Sequence, residues 1–422
     1  TTMLLSMKSR LTVMSFLQFF IWGAWLLTVA NYWFVTKHWD NTEFAAIFST
    51  MGIASVFMPT LCGIIADRWI NAEKLFGALH LLGGITMLFV PLVDNPTDFF
   101  WIILIAMIFY MPTLALSSSV AYNTLIANQY DVVSVFPPIR VWGTVGFIAA
   151  TWVTNLTGNK ASENQFYISA FVSILLGIYA FTLPACKPML EKGEKKSFIQ
   201  TIGLDAFYLF KTYKMALFFL FSLFLGAALQ LTNAYGDVFL SSFKEIPKYA
   251  DSFAVKYSTI IISISQISET LFILAIPFFL KKFGIKKVML FSLIAWFLRF
   301  GLFAYGNPTD GLWMFILSCI VYGMAFDFFN ISGSLFIEQN TSPTIRSSAQ
   351  GIFMMMTNGF GAIIGSLTSG YLIEHFFTLS NGKNDWQSIW LCFALYALVI
   401  AVLFAVLFKH KHEPEKIQTI QH

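Results

Sequence analysis

Residues 386–408 read WQSIWLCFALYALVIAVLFAVLF, 23 residues without an Asp, Glu, Lys or Arg. Coiled as an α-helix, such a stretch is about 35 Å long, more than the roughly 30 Å hydrocarbon core of a bilayer. In lipid every backbone N–H and C=O must be satisfied internally, and the stretch is too uniformly apolar for the alternating strands of a barrel, so it has to be helical. Runs of the same kind recur near residues 11–35, 43–66, 74–93, 98–121, 134–155, 165–184, 214–240, 253–280, 287–305, 311–337 and 346–373. Twelve membrane-spanning helices are therefore expected. The composition agrees, with 57% hydrophobic and 11% charged residues where a soluble domain carries about 25% charged.

The longest polar break runs from Cys186 to Lys214, contains Glu191, Lys192, Glu194, Lys195 and Lys196, and divides the runs six and six. The expected organisation is an N-terminal bundle over 1–185, a linker over 186–213, a C-terminal bundle over 214–408 and a tail over 409–422. Lys8, Arg10, Arg68, Lys74, the linker lysines, Lys281, Lys282, Lys286, Lys287, Arg346, Lys409 and Lys411 fall on one side, while Lys37, Lys160, Lys244, Lys248, Lys256 and Lys383 fall on the other. The positive-inside rule then places both termini in the cytoplasm. The net charge of +4 reads as this topology signal, and no nucleic-acid partner is expected. Two six-helix bundles joined in this way point to secondary transporters, whose halves rock about a site near the midplane.

Cys62, Cys186, Cys319 and Cys392 lack CxxC spacing, so neither a disulfide framework nor a metal site is expected. The run at 11–35 is too long for a signal-peptide core and is expected to remain as the first helix. No HExxH or GxSxG motif occurs, which argues against an intramembrane enzyme.

An ionisable group at membrane depth is costly, so each one predicts a cavity, a partner or a ligand. Arg140, Thr144 and Phe147 recur at four and seven residues and share one helical face, although Arg140 is also near enough to a helix end to snorkel to headgroups. Gln230, Asn233 and Asp237 form a polar stripe that would serve equally as interhelical glue. Gln266 and Glu269 are three apart, with Glu269 about 15 Å along its helix from the end. Tyr322, Phe326 and Asn330 repeat every four residues, Asp327 lies off that face, and Arg299 sits at comparable depth. Glu269 and Asp327 are the candidate proton carriers, with an Asp327–Arg299 ion pair as the alternative. An arginine, amides, carboxylates and aromatics suit a neutral molecule with a flat ring and many hydrogen-bonding groups, or a sugar.

Gly63, Asp67, Arg68 and Lys74 resemble part of the G-x-x-x-D-R signature of the major facilitator superfamily, a gating loop, with Trp69 and Asn71 departing from it. The stretches FPPIRVWGT (136–144), SISQISET (263–270) and AFDFFNISG (325–333) resemble the bacterial nucleoside:proton symporter family, and the likeness extends from Ser15 to Lys409. The resemblance implies an all-α major facilitator fold and proton-driven import of nucleosides such as uridine and adenosine across the bacterial inner membrane by alternating access. It implies no cofactor beyond the coupling proton, a lipid-embedded monomer, and a substrate lining of Arg140, Thr144, Phe147, Gln230, Asn233, Gln266, Glu269, Tyr322 and Phe326, with Asp327 in the transport cycle. A sugar or drug/proton porter of the same fold, or a membrane sensor that binds a nucleoside without moving it, are the alternatives.

Overall fold

The computed structural model describes residues 6–130, 132–188, 204–341, 349 and 352–412. The charged linker residues Glu191 to Lys196, Arg346 and the tail from Glu413 lie outside the described residues. The chain divides into two compact units, Thr1–Lys196 and Ser197–His422.

In the first unit α1 (Met7–Gly23), α2 (Asn41–Arg68), α3 (Ala72–Phe89), α4 (Pro96–Ala127), α5 (Val132–Leu156) and α6 (Asn164–Ala180) follow in order. Local chemistry sets several ends. The Asn95 side chain accepts from the Asp98 N–H at 2.9 Å and Pro96 occupies the first turn of α4, a capped start in which the proline's missing N–H costs nothing. The single helix expected over 11–35 is broken after Gly23. There α1 lies against α5 so closely that a Cβ would stand 2.5 Å from the Phe147 carbonyl oxygen. The chain turns through residues 24–28 and resumes as Val29–Asn31 and one π turn, Tyr32–Thr36.

The second unit contains α7 (Tyr213–Ser242), α8 (Ser258–Phe283), α9 (Ile285–Tyr305), α10 (Leu312–Asn340), α11 (Ala362–Phe376) and α12 (Trp386–Leu407). The run expected from 253 begins as a separate short helix, Phe253–Lys256, and α8 starts only after Tyr257, whose φ −122° and ψ 43° interrupt the helix. Gly284 alone joins α8 to α9 with φ +84°, a left-handed backbone that glycine adopts without steric penalty. A π turn, Met355–Gly361, leads into α11.

Within the first unit α1 packs on α5 and α6, α3 on α4 and α6, and α2 on α4; within the second, α7 packs on α11, α8 on α10, and α9 on α10 and α12. Lipid offers no hydrophobic drive between helices, so small residues that let backbones approach carry the packing. Gly146 of α5 meets the Phe16 backbone of α1, and Gly226 of α7 meets the Thr357 backbone ahead of α11. Among the described residues α2, α3, α4, α7 to α10, α12 and the stretch Ile352–Phe376 that ends in α11 are each long and apolar enough to cross a membrane. With α1, α5 and α6 the long helices among the described residues number twelve.

Candidate functional site

The polar residues of α8 and α10 meet because these two helices touch. A Cβ on Gly323 would lie 2.6 Å from the Ser268 backbone, and the Ser268 hydroxyl donates to the Ile320 carbonyl. This contact brings Gln266 and Glu269 alongside Tyr322 and Asp327. Four residues apart on α10, the Tyr322 and Phe326 rings stack with centroids 6.0 Å apart and planes 8° from parallel. The Gln266 side chain adjoins that of Tyr322, and Glu269 lies within electrostatic reach of both Tyr322 and Asp327. Glu269 and Gln266 are half-buried, whereas Asp327 is 2% exposed and its Oδ2 has no hydrogen-bond partner. A flat pair of rings beside a half-open carboxylate and an amide can stack a heteroaromatic base and accept from hydroxyls.

On α7 the stripe divides by role. Asp237 is buried and accepts from the Thr259 hydroxyl at 3.0 Å, which ties α7 to α8. Gln230 is buried with Oε1 unpartnered, and Asn233 is half-buried. Among the described residues no hydrogen bond joins Gln230 or Asn233 to the α8–α10 cluster. Asn330, on the same stripe as Tyr322 and Phe326, is exposed.

In the first unit Arg140 is exposed, with its guanidinium carbon 4.0 Å from the centroid of the Phe19 ring of α1. Gly143 leaves room for this stack, since a Cβ there would meet the Phe19 ring at 2.6 Å and Arg140 Nη1 at 2.9 Å. Thr144 is half-buried and Phe147 is buried at the α1–α5 contact. Gly63, Asp67 and Arg68 belong to the last turns of α2, and their side chains fall outside the described residues.

Two buried polar knots were not anticipated from sequence. In the first unit His80 of α3 bonds Gln18 Oε1 of α1 at 2.6 Å, Gln18 Nε2 donates to the Thr113 hydroxyl of α4 at 2.8 Å, and the Tyr110 hydroxyl donates to the Gln18 carbonyl at 2.8 Å. In the second, Arg299 of α9 reaches Ser318 of α10 and Thr232 of α7, and no ion pair links it to Asp327. The only sequence signal for the first knot was a glutamine and a histidine, each alone in an apolar run.

Residues 5–413 match the family model described as nucleoside H+ symporter. The chain is 50% identical over 421 residues to the nucleoside permease NupG of Escherichia coli K12, covering 99% of this chain and 100% of that one. It is 51% identical over 415 residues to the xanthosine permease of the same bacterium, covering 98% and 99%. A crystal structure of a mutant of the nucleoside transporter NupG matches with a TM-score of 0.93 over 96% of this chain and 100% of that one. A bacterial homologue of the human lysosomal transporter Spinster, 13% identical with a TM-score of 0.68 over 98% and 97%, shares the fold alone. A major facilitator fold, matched along nearly its whole length by the nucleoside H+ symporter family model and by two bacterial permeases at about half identity, makes this chain a member of the nucleoside H+ symporter family.

Proposed function

We propose that the chain carries nucleosides inward across the bacterial inner membrane together with protons. The observation that carries this reading is the α8–α10 cluster, where two carboxylates in mutual electrostatic reach adjoin a stacked aromatic pair and an amide. Tyr322 and Phe326 stack the base, Gln266 and Glu269 meet its polar edge or the ribose hydroxyls, and Glu269 with Asp327 takes up and releases the coupling proton. Gln230 and Asn233 supply further amides from α7. Arg140, Thr144 and Phe147 are proposed to contact the nucleoside from α5 during alternating access, with Gly63, Asp67 and Arg68 in the gating loop. The chain works as a monomer in lipid with both termini in the cytoplasm, and needs no cofactor other than the proton.

A narrower reading, a carrier centred on xanthosine, is favoured by the 51% identity to a xanthosine permease. Uptake of labelled uridine into proteoliposomes, with and without an inward proton gradient and challenged by adenosine, xanthosine and lactose, tests both. Gradient-dependent accumulation that yields to adenosine and not to lactose is expected. Competition by xanthosine alone would establish the narrower carrier, and competition by lactose alone would remove the nucleoside reading.

A further inference from the structure

Arg299 is 0% exposed at membrane depth, and among the described residues no carboxylate pairs with it. Its Nη1 donates to the Ser318 carbonyl at 2.9 Å, its Nε donates to the Thr232 hydroxyl at 3.3 Å, and the Ser318 hydroxyl donates back to the Arg299 carbonyl at 2.9 Å. Nη2 has no partner. A buried charge so placed is expensive, and an apolar side chain of similar volume packs helices at less cost. Joining three helices does not require it either. The corresponding helices of the first unit, α1, α3 and α4, are joined by the neutral side chains Gln18, His80, Thr113 and Tyr110.

What the charge does is visible in its remaining contacts. The guanidinium carbon stands 4.7 Å from the centroid of Phe303 and 4.9 Å from that of Tyr322. Tyr322 also meets the edge of Trp296, with centroids 5.7 Å apart and planes at 88°, so α9 supports the ring twice. The ring also lies parallel to Phe326 and beside Gln266, both assigned to the substrate. A planar cation against an aromatic face fixes the plane of that ring, which a neutral aliphatic neighbour does not.

We infer that Arg299 is a positioning residue for nucleoside recognition, setting from behind the plane of the Tyr322 ring on which the base stacks. It acts through Tyr322 without touching the ligand, and the inference rests on the reading of Tyr322 as a substrate wall. Because Thr232 and Ser318 hold the guanidinium from α7 and α10, the ring is tied to three helices at once. Selectivity among bases of different width is then set partly by a residue that lies outside the lining.

The test is a double-mutant cycle on the purified full chain, measuring Kd for uridine and for adenosine with wild type, Arg299→Met, Tyr322→Ala and the pair together. Arg299→Met is expected to weaken uridine binding about thirtyfold, the size of a desolvated cation–aromatic contact, and to shift the uridine-to-adenosine ratio. The double variant is expected to bind no more weakly than Tyr322→Ala alone. Losses that multiply in the double variant, or an equal loss for both nucleosides that follows a falling Tm, would overturn the inference. Should Arg299→Met not fold, Arg299→Lys keeps the charge without the planar fork and Thr232→Val removes one support, and both are read by the same criteria. A Tyr322→Ala variant that binds both nucleosides like wild type would remove the site reading itself.

Discussion

The two halves knot corresponding helices together with different chemistry. In the N-terminal unit α1, α3 and α4 meet at Gln18, His80, Thr113 and Tyr110, neutral groups that bond one another at 2.6 to 2.8 Å. In the C-terminal unit α7, α9 and α10 meet at Thr232, Arg299 and Ser318, where a full charge keeps one nitrogen unpartnered. Beside that second knot lie Asp327, also with an unpartnered oxygen, and Glu269. A satisfied neutral network rigidifies a bundle, while unsatisfied charges store free energy that a ligand or a proton can release. On the proposed reading, the buried knot of the first half is framework and that of the second half supports the site.

The largest expected effects fall on the carboxylates. Glu269→Gln should weaken uridine binding roughly 10- to 100-fold, the equivalent of one charge-assisted hydrogen bond. Asp327→Asn should leave uridine counterflow in vesicles while removing accumulation driven by the proton gradient. If both neutral variants still concentrated uridine against its gradient, the assignment of chemistry to the second half would fail. Packing comes next. Gly323→Leu and Gly146→Leu place bulk against backbone in the second and first halves, and each should lower stability by about 1–3 kcal/mol or prevent folding, read as a lowered Tm.

The sharpest probe of the contrast is smaller. His80→Leu removes the donor to Gln18 Oε1 and should lower stability by about 1–3 kcal/mol while leaving the uridine Kd of the folded protein unchanged. A binding loss as large as that of Arg299→Met would erase the distinction between the two knots. Smallest of all, Phe19→Leu removes the ring beneath Arg140, a contact worth about 0.5–1 kcal/mol at an exposed site, and its effect on uridine affinity should stay within about fivefold.

The helices were legible in the sequence because lipid enforces long uncharged runs, and hydropathy reads length directly. It does not read backbone geometry, so the break after Gly23 and the interruption at Tyr257 were invisible within continuous apolar stretches. The α8 and α10 stripes were legible because three- and four-residue spacing fixes a helical face, and those faces adjoin at Ser268 and Gly323. The knots were not, because their partners are far apart in sequence: Gln18 bonds His80 62 residues away and Tyr110 92 residues away. Charge alone offered Asp327 as the partner of Arg299, whereas in the folded chain Arg299 donates to the Thr232 hydroxyl and the Ser318 carbonyl, groups too common in the sequence to stand out.

The coupling of nucleoside to proton is tested most directly by enclosing a pH-sensitive dye in proteoliposomes of the full chain at zero pH gradient and adding uridine outside. Symport predicts that the lumen acidifies as uridine enters, that lactose produces no change, and that Asp327→Asn abolishes the signal while radiolabelled uridine still equilibrates. Uridine entry at the wild-type rate with no change in lumenal pH would contradict the account, leaving a nucleoside carrier that does not move protons.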